Sequence, residues 1–319
     1  MSNPFITDIL PQLASGASHT QALGFRFDGM VDDAVRLRVP WNPALIGDPS
    51  SQVLAGGLVT TLLDHVGGLA VWKDLSTYQP IATLDLRVDY MRAARTGRDL
   101  IAQAHCYKLT KNVAFVRAFA FEDDPSDPVA AAQATYIITP VSETSRSRPR
   151  PTEASHIPFA YGEGSGPLEA IPYANFLGLK TQANGDELTV IMPFSDHLIG
   201  NPMIPALHGG STAALLEMTA VAQLATSYPR LRLPRAINVT ATYLRSGRDD
   251  TVFARARINK AGRRVAQVLA EAWQKNRDHP IATLTAHFLL DEVEKNYRGV
   301  NQPISEIVVN GKESATKTN

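Results

Sequence analysis

Apolar and polar positions along this chain fall into two runs with the same order of periods. Each opens on a short amphipathic helix, over Ile6 to Leu13 and Leu168 to Leu177. A strand follows, over Ala34 to Val39 and Glu187 to Met192. Then comes one long apolar segment of helical length, Gly57 to Asp74 and Gly210 to Tyr228. The rest alternates with period two or is rich in β-branched residues, which predicts strands. In the first run these are Ile81 to Met91, Asp99 to Lys108, Ala114 to Glu122 and Val129 to Ile138. In the second they are Ala236 to Leu244, Thr251 to Asn259, Arg264 to Gln274 and Pro280 to Leu290. Arg264 to Gln274 is rich in helix formers and reads either way. A helix apolar on all sides cannot lie on a surface. The pattern therefore predicts an α+β fold in which an antiparallel sheet wraps a central helix, twice.

The two runs are copies. Leu45-Ile46-Gly47-Asp48-Pro49 is answered by Leu198-Ile199-Gly200-Asn201-Pro202, and Tyr90-Met91-Arg92 by Tyr243-Leu244-Arg245. Asp64 pairs with Glu217 and Ala55 with His208, both 153 residues apart (217 minus 64, 208 minus 55). A constant offset from Leu45 to Arg92 marks a tandem duplication. The expected boundaries are a first domain at 4–140, a linker rich in Ser, Pro and Gly at 141–167, a second domain at 168–292 and a polar tail at 293–319.

Composition narrows the picture further. The 319 residues carry 31 basic and 31 acidic side chains, so no net field argues for nucleic acid or an anionic membrane surface. One cysteine, Cys106, excludes an intrachain disulfide and suits a reducing compartment. Charge, Gly or Pro breaks every apolar run before bilayer length, and Met1 to Leu10 has no signal-peptide pattern. The expectation is a cytoplasmic protein that does not enter a membrane.

Candidate chemistry sits on the long helices. Between Val53 and Trp72 only Asp64 and His65 ionise; between Ala206 and Ser227 only His208 and Glu217 do. Leu58, Leu62, Val66 and Leu69 form one helical stripe, and Asp64 lies opposite, near Thr60, Gly67 and Gly68. That face must meet the other copy. A carboxylate on a buried helix is costly unless paired or used, and it recurs in both copies. Glycines at the helix start leave its first N–H groups open to a ligand, at the positive end of the dipole. Such donors polarise a carbonyl and hold the oxyanion formed on attack. The pattern points to acyl transfer to water, with the carboxylate as general base. Tyr90 and Tyr243 read as packing residues without an acid or base partner. His65, His105 and His287 lack metal-ligand spacing, and no metal site, Gly-rich phosphate loop or nucleophile elbow is found.

His208-Gly209-Gly210, an acid nine positions after the His, and a strand like Thr83-Leu84-Asp85-Leu86-Arg87-Val88 together resemble the hot-dog-fold acyl-CoA thioesterases, of the phenylacetate-pathway type. The likeness covers nearly all of both copies and implies a double hot dog. In that family two hot dogs share each site across their interface. The resemblance then implies one site built from Asn201, His208 and Gly209 of the second copy with Asp64 and Thr83 of the first. Asn201 lies one residue further from the His than in the family pattern. The other site would hold Asp48, Ala55, Gly56 and Glu217, with Ala236 matching Thr83; it lacks the His and the Thr and is expected to be degenerate. The family further implies acyl-CoA as substrate, no cofactor beyond the substrate's own coenzyme A, homo-oligomers of double hot dogs, and Arg92 and Arg245 as candidates for the CoA phosphates. Two other readings stand beside it. Pro202, Pro205 and Leu216-Glu217-Met218 resemble the helix of hot-dog acyl-thioester dehydratases, and drift at one site fits a non-catalytic acyl-CoA-binding protein.

Overall fold

A computed structural model describes residues 3–139, 166–184, 187–201, 206–228 and 232–291. The expected linker, 141–167, lies outside these except for its last two residues, and the expected tail, 293–319, lies outside them altogether.

The first repeat begins with a π-helical turn, Phe5–Ile9, then α1 (Leu10–Ser15) and α2 (Ser18–Ala22). The single helix expected over Ile6 to Leu13 is thus broken into short pieces. A hairpin follows, β1 (Arg26–Val31) and β2 (Ala34–Val39), turning through Asp32 and Asp33 at positive φ. Two short strands, β3 (Ile46–Asp48) and β4 (Val53–Leu54), lead into α3 (Gly56–Leu75). Strands β5 (Ile81–Tyr90), β6 (Leu100–Leu109), β7 (Val113–Phe121) and β8 (Ala130–Ile138) complete it.

The second repeat follows the same order. It runs through α4 (Pro172–Phe176), β9 (Lys180–Asn184), β10 (Glu187–Met192), β11 (Ile199–Asn201), β12 (Ala206–Leu207) and α5 (Gly209–Ser227). It closes with β13 (Arg235–Tyr243), β14 (Val252–Ala261), β15 (Val265–Trp273) and β16 (Ala282–Leu289). The segment that read either way is the strand β15. Its Ala266, Val268, Ala270 and Ala272 are buried in alternation, so period two outweighed helix propensity. β1, β9 and the short strands β3, β4, β11 and β12 are not among the expected strands. β1 is an edge strand that buries neither face, so it carries no alternation to read.

All the long strands form one antiparallel sheet of twelve, in the order β1-β2-β6-β7-β8-β5-β13-β16-β15-β14-β10-β9. The halves join at β5 and β13, in a register that pairs Arg87 with Thr240 and Asp89 with Asn238. Arg87 and Thr240 are themselves 153 residues apart (240 minus 87), so the pseudo-twofold axis passes through that pair. Two hot dogs lie side by side with their sheets fused.

Helices α3 and α5 lie against each other inside this sheet. Leu58, Leu62, Val66 and Leu69 face the sheet and are buried. The opposite faces of the two helices meet at small residues. A Cβ at Gly57 would stop 2.8 Å from the Ala214 Cβ, and one at Gly210 would stop 2.7 Å from the Thr61 Cα. Both contacts are the same contact seen across the axis. The second glycine of each pair is therefore required by helix packing, not only by a turn or a ligand.

Candidate active site

The segment before each helix fixes where the helix starts. The N–H of His208 donates to the Leu198 carbonyl at 2.9 Å, and that of Ala55 to the Leu45 carbonyl at 3.0 Å. Gly200 and Gly47 let β11 and β3 press against the same residues: a Cβ there would stop 2.6 Å from the His208 Cα and 2.5 Å from the Ala55 Cα. The repeated Leu-Ile-Gly motif thus anchors the residue in front of the glycine pair.

At the start of α5 the structure brings together residues from both repeats. Asp64, two turns along α3, lies across the axis beside Gly209, where a Cβ would stop 3.0 Å from Asp64 Oδ2. Thr83 Oγ1 donates to Asp64 Oδ1 at 2.8 Å. His208 Nδ1 stands 3.8 Å from Asp64 Oδ2. Asn201 lies in β11, and residues 202–205, which join it to Ala206, are not described.

His208 caps the helix. Its Nδ1 accepts the Gly210 N–H at 2.9 Å, while its carbonyl accepts from Ser211 at 3.1 Å and Thr212 at 3.3 Å. Among the described residues, the Gly209 N–H has no partner, so it is the donor left for a ligand oxygen. Behind His208 lie two imidazoles the sequence reading did not place here. His65 Nδ1 is 3.3 Å from His208 Nε2, and the His19 ring centroid is 5.3 Å from that of His208. Their spacing in sequence gave no sign of this; only the pairing of the repeats juxtaposes them. Burial pushes His208 well below the usual imidazole range and holds His19 and His65 at about 4, so all three are neutral near pH 7.

Burial also raises Asp64, which is 5% exposed, to about 6. The hydrogen bonds from Thr83 and the Gly210 N–H work against that rise. Its backbone is tied down as well, since the Tyr136 hydroxyl donates to the Asp64 carbonyl at 2.7 Å. A carboxylate ionised at neutral pH but strained toward neutrality suits a general base.

The other helix start differs residue by residue. Ala55 offers no side chain to cap α3, and Ala236 replaces the threonine. Burial raises Glu217 to about 7. Tyr90 Oη lies 3.0 Å from Glu217 Oε2, 2.9 Å from the Gly56 carbonyl and 2.7 Å from Thr60 Oγ1. The carboxyl stands so near Gly56 that a Cβ there would collide with it. Asp48, Ala55, Gly56 and Glu217 line one cavity of about 260 Å³. The Asp48 carboxylate itself is turned into its own loop, accepting from the Ser50 N–H at 2.9 Å and from Ser51 Oγ at 2.5 Å.

One expectation needs correction. Tyr90 and Tyr243 are not isolated packing residues. Tyr90 meets the acid of the opposite repeat, and the Tyr243 hydroxyl donates to the Gly209 carbonyl at 3.0 Å. The acid partner comes across the interface, which the sequence of one repeat cannot display. Arg92 and Arg245 are held in turns. Arg92 lies 3.0 Å from both Glu122 and Asp127, and Arg245 Nη1 donates to the Pro280 carbonyl at 2.7 Å.

The family model for the Thioesterase superfamily matches residues 51–129 and 205–281, one segment in each repeat. The chain belongs to the thioesterase superfamily. Both segments include a glycine pair and its helix acid, so this member carries the family unit twice. The medium/long-chain acyl-CoA thioesterase YigI of Escherichia coli is 27% identical over 131 residues, 37% of this chain and 83% of its own. A Halobacterium salinarum protein is 37% identical over 94 residues, which span 28% of this chain and 61% of that protein. Among solved structures, a hot-dog protein of unknown function from Alicyclobacillus acidocaldarius aligns with a TM-score of 0.55 at 14% identity, over 86% of this chain and 97% of its own. The acyl-CoA thioesterase II TesB2 of Mycobacterium marinum aligns with a TM-score of 0.53 at 12% identity, over 85% and 97%. At these identities the structures speak for the double hot-dog fold alone. Among the described residues, no helix is long and apolar enough to cross a membrane.

Proposed function

We propose that this chain hydrolyses acyl-CoA thioesters at the start of α5. The observation that carries the reading is Asp64 of one repeat poised beside the Gly209 N–H of the other, which has no partner among the described residues. The thioester oxygen accepts from that N–H. Asp64 takes a proton from a water held with Thr83, and the water oxygen bonds to the carbonyl carbon. The tetrahedral intermediate then expels the CoA sulfur, which takes up the proton held by Asp64. The products are a carboxylic acid and the CoA thiol. His208 serves this site by capping the helix, because its Nδ1 lone pair is already engaged by Gly210. The acyl-CoA thioesterase activity in the name of YigI supports the substrate class.

The test is CoA release from short, medium, long and aromatic acyl-CoAs. General-base catalysis contributes roughly 10²- to 10⁴-fold, and Asp64→Asn should lose that much. A larger loss in Glu217→Gln than in Asp64→Asn would move the chemistry to the other helix start. Binding of acyl-CoA with no turnover of any substrate would leave a binding protein as the better account.

A further inference from the structure

The helix start that lacks the His and the Thr lies beside an open cavity. The cavity of about 260 Å³ is walled by Val59, Met218, Val221 and Ile237 and reaches Gly56 and Glu217. A second cavity of about 230 Å³ continues from it, sharing Asp48, Val53, Ala93, Leu233 and Arg235, and extends to Arg232. An apolar chamber with a few converging polar groups is the usual form of a small-molecule site.

Three features say what it takes and what it does with it. At the start of α5 the His208 side chain uses up the Gly210 N–H, but Ala55 leaves the equivalent donor of α3 unused. Among the described residues, neither the Gly56 nor the Gly57 N–H has a partner. Buried donors without acceptors are costly, and an oxygen ligand would relieve them. Secondly, Arg232 Nε is buried in the outer cavity and, among the described residues, has no hydrogen-bond partner. With Arg235 it sets two cations against Asp48 and Asp291 in the cavity wall, and its Nε–H is the donor placed for an anionic group. Thirdly, the means of attack are missing. The Glu217 carboxyl crowds Gly56 and is bound by Tyr90, where Asp64 stands back from Gly209. Methyl groups replace the imidazole and the threonine hydroxyl.

We infer that this half of the protein is a second binding site, which holds an acyl group by its carbonyl oxygen at the start of α3, with an anionic group near Arg232, and does not hydrolyse it. The ligand class rests on the acyl-thioester reading of the first site. Two sources share this chemistry, an intact acyl-CoA and the carboxylic acid released from one. Occupancy bears on catalysis, because the helix that begins at Gly56 carries Asp64 two turns later.

The experiment is calorimetric titration of full-length Asp64→Asn with two probes, octanoate and a ketone analogue of octanoyl-CoA in which a methylene separates sulfur from carbonyl. Two binding events per chain are expected with at least one probe, and the probe that gives the second event identifies the source. Adding Ala236→Trp, which fills the chamber from β13, should remove one event. Adding Arg232→Gln should weaken that same event about tenfold. If the tryptophan variant does not fold, Ala236→Leu and Arg232→Gln give the same readout. One event per chain with both probes, unaltered by Arg232→Gln or the Ala236 variants, overturns the inference. Hydrolysis is scored separately on the wild type, so two events without turnover would sink the proposed activity and leave this site standing.

Discussion

His65 accepts a hydrogen bond from His208, Nε2 to Nδ1, at 3.3 Å. The direction follows from the neighbours. His65 Nε2 lies 3.1 Å from the Ala14 carbonyl and must donate to it, which leaves Nδ1 as the acceptor. His208 then carries its proton on Nε2 and a lone pair on Nδ1, as its bond from the Gly210 N–H requires. A chain of bonds thus runs from the buried Ala14 carbonyl of α1 to the start of α5 and fixes the tautomer of the capping histidine. His65→Phe should leave the buried His208 donor unpaired and lower stability by about 1–3 kcal/mol. If the cap also aims the Gly209 N–H, kcat/KM falls by roughly tenfold to a hundredfold. Urea unfolding tests the first part and the rate of CoA release the second. Unchanged stability together with unchanged kcat/KM in His65→Phe would contradict this account.

The pH profile should show Asp64. Its carboxyl titrates at about 6 in the folded chain, so kcat/KM should rise with pH through that value and level off above it. Thr83→Val removes a hydrogen bond that favours the charged form, so the rising limb should move to higher pH. A limb that stays in place would mean that another group controls the rate.

Stability should respond in the opposite sense. A carboxyl raised from 3.8 to about 6 by burial favours the folded state only while it is protonated. Its contribution is therefore present below about pH 4 and is lost as pH rises toward 6. Asp64→Asn removes the penalty, so the variant should be more stable than wild type at pH 8, by at most about 3 kcal/mol, and lose that advantage near pH 4. Melting curves at the two pH values decide it. Lower stability of Asp64→Asn at pH 8 would show that the charge is better compensated than its burial implies.

Glycines on the same helix pair should behave oppositely. Gly210→Ala drives a Cβ into the backbone of Thr61, and overpacking of this kind costs about 1–3 kcal/mol. At Gly68 the nearest atom to a new Cβ is Ile81 Cδ1 at 3.5 Å, an ordinary contact. Gly68→Ala should therefore gain up to about 1 kcal/mol of helix propensity. Denaturant midpoints of the two variants should move apart, and a parallel shift would exclude close helix contact as the reason for the glycine pair.

Read alone, the sequence reveals the repeat, the long buried helices and most strands. Those features are local or are repeated at a fixed offset, so Asp64 and Glu217, or Ala55 and His208, can be matched without coordinates. It also carried the asymmetry, because a missing imidazole is visible as a letter. What it could not carry was contact across the pseudo-twofold axis. The role of Tyr90 as partner of Glu217, the clustering of His19, His65 and His208, and the use of Gly57 and Gly210 as helix contacts all join residues far apart in the chain. The folded chain alone reveals that the repeats fuse through β5 and β13, which sets α3 against α5 and places each acid at the start of the other repeat's helix. The same packing left the chamber beside Glu217, since cavity volume depends on how surfaces meet and not on the order of residues.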